Sequence, residues 1–265
     1  MKQRKLTIVG WGAVATFLGR SVAMPAQGAT APHLTIGVAA GWVGGGSLWD
    51  VPAQTIRSVR FAPDLFHLHR DLGAGVSLSG HATYFRNAHF GLAGEFTFVG
   101  LNNADRCTVT QDGGDPGLLS ACNAIAGSPS SVSSTTVQAG VILRPFGDTP
   151  IQSYAKGLAG LAFTPGSTVA MRSFYNSGNV LTVYEDDRAS TTRPTWTLAV
   201  GALMSIGRGY QLLVEARESW LTEARITGPT TAQGEVPPSH SSYKAFPSLF
   251  VGFDIVLEQR RGRQY

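Results

Sequence analysis

The stretch from Thr195 to Ile206 alternates, with bulky apolar residues on one parity (Trp196, Leu198, Val200, Met204, Ile206) and mostly small or hydroxylated ones on the other. That is a strand period, not a helix period. The same dyad sets Leu34, Ile36, Val38, Ala40 and Trp42 against Thr35, Gly37, Ala39 and Gly41, and Val137, Ala139, Val141 and Leu143 against Thr136, Gln138, Gly140 and Arg144. Eight alternating segments are found: Leu34 to Val43, Leu72 to Tyr84, His89 to Leu101, Thr135 to Pro145, Ile151 to Phe163, Thr195 to Ile206, Tyr210 to Leu221 and Ala245 to Leu257. Each can supply the roughly 9 to 11 residues of a tilted transmembrane strand. Lipid cannot hydrogen-bond an open sheet edge, so such strands predict an all-β fold, an eight-stranded antiparallel up-and-down transmembrane barrel.

The connections alternate in length. Phe85 to Ala88, Phe146 to Pro150 and Gly207 to Gly209 read as tight turns, while Gly44 to Asp71, Asn102 to Ser134, Thr164 to Pro194 and Thr222 to Lys244 read as long polar loops. Short turns on one side and four long loops on the other are the pattern of periplasmic turns and extracellular loops. The chain in this respect resembles the small eight-stranded bacterial outer-membrane barrels of the OmpX and OmpA transmembrane-domain type. The resemblance rests on strand number, loop asymmetry and the leader described next. It implies an integral outer-membrane protein in contact with outer-membrane lipid and lipopolysaccharide. Such barrels commonly finish on an aromatic residue, whereas here the strand through Leu249, Val251, Phe253, Ile255 and Leu257 is followed by Glu258 to Tyr265.

A basic cluster (Lys2, Arg4, Lys5), an apolar run from Leu6 to Gly19 and small residues from Ala23 to Ala31 follow in the order of a secretory signal peptide. Ala26-Gln27-Gly28 before Ala29 is the preferred cleavage site, which gives a signal peptide over 1–28 and a barrel domain over 29–265. The apolar run is shorter than the roughly 20 residues of a spanning helix.

The formal charge is +4 and the pI near 9.3. Four basic residues lie in the first 28, where there is no acid, and without them 17 bases face 17 acids. The basic character therefore belongs to the leader, and nucleic acid is not an expected partner. Cys107 and Cys122 stand close together in an exported chain and are expected to form a disulfide.

A lipocalin-type barrel, with its apolar face inward around a ligand, is the structural alternative. The charges argue against it: Glu95, Arg144, Lys156, Glu215, Arg217 and Asp254 all fall on the parity of the small residues. Turned inward they form a charge-balanced set of three acids and three bases, and an eight-stranded lumen is narrow enough for side chains to plug it. The expectation is small residues inside and large ones outside. A conducting ion path is the competing reading of the same residues.

Some barrels of this size process the acyl chains of lipid A, and the deacylase type uses a His-x-Ser pair with an acidic partner. His240-Ser241-Ser242, with Asp254 farther along, offers those residue types. The triplet lies in a Pro/Ser-rich loop and Asp254 is expected deep in the barrel, so no catalytic role is assigned. His67-Leu68-His69, His81 and His89 show no metal-like spacing, and Gly44-Gly45-Gly46 opens no helix, so neither metal nor cofactor is expected. Val169 to Tyr175 and Val180 to Tyr184 around Asn176 to Asn179 predict a projecting hairpin, whose Phe174, Tyr175 and Tyr184 suit contact with an extracellular protein or surface ligand. A monomer with a structural or adhesion-type role is expected.

Overall fold

The computed structural model describes residues 32–56, 64–110, 119–120, 122–123, 130–146, 149–165, 167–174, 180–188, 190–207, 209–226 and 239–258. The expected signal peptide and Ala29 lie outside the described residues. The described strands are β1 (His33–Val43), β2 (Gly46–Ile56), β3 (Asp64–Phe85), β4 (Phe90–Thr110), β5 (Ser130–Leu143), β6 (Ile151–Thr164), β7 (Ser167–Phe174), β8 (Val180–Arg188), β9 (Thr191–Gly207), β10 (Tyr210–Ile226) and β11 (Ser239–Glu258).

Eight of them close a ring in the order β1-β11-β10-β9-β6-β5-β4-β3, with β3 pairing back to β1 and every pair antiparallel. These are the eight segments that alternation picks out. The protein is an eight-stranded antiparallel barrel. β7 and β8 form a separate hairpin, as the third loop's sequence predicts.

The expected long loops are partly strand. Val43 faces Gly75 and Gly46 faces Leu72, so β2 prolongs the line of β1 along β3, inside the stretch read as a polar loop. β3 begins at Asp64 and β4 runs on to Thr110, so this sheet rises well past the ring. The extensions escape the alternation because water replaces lipid outside them. An outer face bearing His67, His69 and Asp71 carries no polar/apolar contrast to detect.

Parity fixes the two faces of the ring. Trp42, Val76, Leu92, Val137, Leu198, Val200 and Val251 point outward and are exposed, whereas Glu95, Lys156, Glu215 and Arg217 point inward and are buried. The apolar face is therefore outside, the reverse of a lipocalin. The expected size rule needs correction, because bulky apolar residues also fill the lumen in two layers. Phe85, Ile142, Tyr154, Leu203, Leu213 and Phe250 occupy the side toward the tight turns; Val43, Leu72, Leu101, Leu221 and Phe246 close the side toward the long loops. Phe85 and Phe250 fit because Gly91 and Gly41 stand beside them, where a Cβ would collide with the rings.

Candidate functional site

Between the apolar layers, the inward parities of β4, β6 and β10 bring four charged side chains together. Lys156 Nζ lies 2.8 Å from Glu95 Oε2 and 2.9 Å from Glu215 Oε2. Arg217 donates from Nη1 to Glu95 and from Nε to Glu215, the Tyr154 hydroxyl donates to Glu215, and Thr97 donates to Glu95 at 2.8 Å. Each carboxylate thus meets both cations. All four residues are buried, Glu215 completely. Such a box satisfies the condition under which buried charge is tolerated: full pairing with hydrogen bonds to the remaining lone pairs.

Arg144 and Asp254, expected in the same network, lie apart from this box. Arg144 sits toward the turns, donating to Gln152 at 2.7 Å with its guanidinium over the Phe85 ring, while His33 stacks on that ring at 5.0 Å between centroids. Asp254 bonds His81 Nε2 at 2.8 Å. The expected single set of six is divided because parity assigns a face but not a height along the barrel. Two further pairings had no counterpart in the sequence reading. His81 as the partner of Asp254 was traceable, since it shares the inward phase of Ser77, Ser79 and Thr83. The buried Arg70–Asp105 pair, bonded at 2.6 and 2.8 Å, was not, because both residues fall in stretches read as loops.

Above the box, toward the long loops, Ser77, Thr136, Thr195, Thr197, Arg217 and Phe246 help line a cavity of about 30 Å³. That is room for about two waters. Leu221 and Val43 of the loop-side apolar layer also line it.

The candidate catalytic residues are not brought together. His240 and Ser242 lie exposed on β11 opposite Arg225 and Glu223, and Asp254 lies on the same strand about 46 Å away at about 3.3 Å per residue. Asp254 already has a partner in His81. Cys107 and Cys122 form the expected disulfide. In the hairpin, Met171 faces Tyr184 and Phe174 faces Val180, while Tyr175 lies outside the described residues. His67 and His69, expected in a loop, lie on β3, where they contact Asp50 at 2.7 Å and Asp71 at 2.9 Å respectively. Among the described residues no group of His, Cys, Asp and Glu is arranged to hold a metal ion.

The sequence matches no protein-family model and no curated protein. Among solved structures, the chain is similar to small outer-membrane barrels. Outer membrane protein OprG of Pseudomonas aeruginosa is 13% identical over 88% of this chain and 99% of its own, with a TM-score of 0.49. Outer membrane protein AlkL, solved in lipid bilayers, is 11% identical over 93% of this chain and 100% of its own, with a TM-score of 0.41. Ail, the attachment invasion locus protein of Yersinia pestis, in complex with a heparin analogue, is 9% identical over 84% of this chain and 99% of its own, with a TM-score of 0.36. Likeness at this level carries no function across.

The outer surface is more informative. Exposed aromatic residues ring the barrel at both ends of the apolar band: Tyr84, Phe90, Phe146 and Tyr210 toward the turns, Trp42, Phe98, Phe163 and Trp196 toward the loops. Aliphatic side chains such as Val38, Leu78, Val141 and Val200 fill the space between them. Trp196 and Ile206, near the two ends of β9, are separated by about 34 Å along the strand, or about 26 Å along the axis at a tilt of about 40°. A lipid-facing band is about 25 Å tall with an aromatic girdle at each interface.

Proposed function

We propose that the protein is an integral outer-membrane barrel that works as a structural and surface-interacting element, with a plugged lumen and no part for His240 and Ser242 in catalysis. The supporting observation is the combination of an apolar outer band with a lumen crossed by a charge box and two apolar layers, which leave a cavity of only about 30 Å³ between them. Lys156 and Arg217 neutralise Glu95 and Glu215 at mid-lumen, and an apolar layer lies on each side. A barrel filled this way leaves its work to the surface it displays. The β2–β3–β4 and β10–β11 extensions and the β7–β8 hairpin provide that surface, and the outer edges of β2 and of the β7–β8 pair carry no further ladder among the described residues, which suits recognition by strand addition.

The test combines three measurements. Protein folded in lipid vesicles should migrate differently on a gel before and after boiling, and its vesicles should pass ions no faster than empty ones. Cells displaying it should adhere to immobilised extracellular-matrix proteins or glycosaminoglycans better than cells displaying a variant trimmed to the ring. Steady conductance would replace this reading with that of a narrow pore. Equal adhesion by the trimmed variant would remove the surface role.

A further inference from the structure

The ring closes where β1, the first strand, lies between β11 and β3. Along that seam, Gly37 faces Asp254 on β11 and His81 on β3. His81 Nε2 and Asp254 Oδ1 meet at 2.8 Å across this gap, joining residues 173 apart in sequence, and both side chains are buried. A Cβ on Gly37 would land on both bonded atoms. The two strands that flank β1 are therefore joined to each other directly, over a strand that contributes no side chain at that level.

We propose that the His81–Asp254 pair is a closure staple for the barrel, holding β1 in its seam independently of β1's own ladder hydrogen bonds. A ring strand held only by the ladders beside it opens locally when those ladders fray. Here detachment of β1 does not by itself free β3 from β11, so the slot remains and β1 returns to it. The partners come from the two strands that flank the closing seam, β3 and β11, so the bond forms only when the ring is complete. Other charges around the pair are already engaged: Glu95, which faces His81 across the β3–β4 ladder, is held by Lys156, Arg217 and Thr97. Gln211 faces Asp254 from β10 and is uncharged.

Hydrogen exchange on the full-length protein folded in lipid tests this strand by strand. His81→Ala should speed exchange in β1 about tenfold or more, the change expected for losing a hydrogen bond to a charged group, while β5 and β6 keep their protection. Gly37→Ala, which leaves both partners in place but fills the gap between them, should have the same local effect. The double variant His81→Ala with Asp254→Ala should be no worse than His81→Ala alone, because the two residues act as one unit. Asp254→Asn supplies the readout if His81→Ala does not fold. Unchanged exchange in β1, a loss of protection spread evenly round the ring, or additive effects in the double variant would each overturn the staple.

Discussion

Arg144 lies flat on Phe85, its guanidinium carbon 3.3 Å from the ring centroid. The contact closes the turn-side end of the lumen, and Phe85 is among the largest fully buried side chains of the barrel. Phe85→Ala removes both the ring that fills this end and the surface on which the cation rests. The expected cost is about 3–5 kcal/mol. Folding titrations in lipid vesicles measure it. A loss below about 1 kcal/mol would mean that the end relaxes around the gap and the stack is incidental.

Inside and outside substitutions should differ in kind. Val200 is exposed on the outer band, 61% accessible, whereas neighbouring Ala199 is buried, facing Lys156 and Arg217 across its two ladders. Val200→Arg places a charge against lipid and should cost about 2–4 kcal/mol near the midplane. Ala199→Ser adds a hydroxyl to a polar layer and should stay within about 1 kcal/mol. The same titrations check both, and a tolerated Val200→Arg beside a disruptive Ala199→Ser would reverse the assignment of faces.

In the charge box, paired removal should be gentler than single removal. Lys156→Met leaves Glu95 and Glu215 sharing Arg217 alone, and loss of one member of a buried set costs about 3–5 kcal/mol. Lys156→Met together with Glu95→Gln restores the balance of one acid and one base and should recover part of that loss. A double-mutant cycle reads the coupling directly. Costs that simply add would show that water, not the opposite charge, satisfies these groups.

Cys107 lies on β4 beyond the membrane-facing band, and its bond to Cys122 closes a segment with a sequence separation of 15. Intact mass before and after alkylation without reductant should find no free thiol in freshly isolated protein. Reduction should lower stability by about 3 kcal/mol through the freed loop entropy while the gel shift of the folded ring persists. Two alkylated cysteines before reduction would contradict the pairing.

The sequence was legible where lipid constrained it. Most outward positions of the ring are apolar, with Glu218 on β10 an exception, so alternation located β1 to within one residue: Leu34 expected, His33 found. Beyond the band that constraint ends, and β3 begins eight residues before the expected Leu72. The lumen was legible in face but not in layer. Ile142 shares the parity of Gln138 and Arg144, and Leu213 that of Gln211 and Glu215, so both face the lumen against the size rule. The meeting of Lys156 with Glu95 and Glu215 depends on how the ring staggers its strands, a long-range property that no short window contains.

The remaining prediction concerns chemistry. His240→Ala and Ser242→Ala should leave the barrel folded and the acyl pattern of lipid A unchanged. Acyl transfer by a His–Ser pair needs an acid to orient the imidazole, and removal of a true base or nucleophile lowers turnover by orders of magnitude. Here the carboxylate that the sequence offered, Asp254, is buried against His81, about 46 Å along β11 from His240. Beside the triplet, Ser241 accepts a hydrogen bond from Arg193 at 2.6 Å, a contact that ties β9 to β11 and activates no nucleophile. Mass spectrometry of lipid A from cells expressing each form decides the matter. An acyl chain removed by the wild type and retained with both variants would make this barrel a hydrolase, with an acid supplied from elsewhere in its loops.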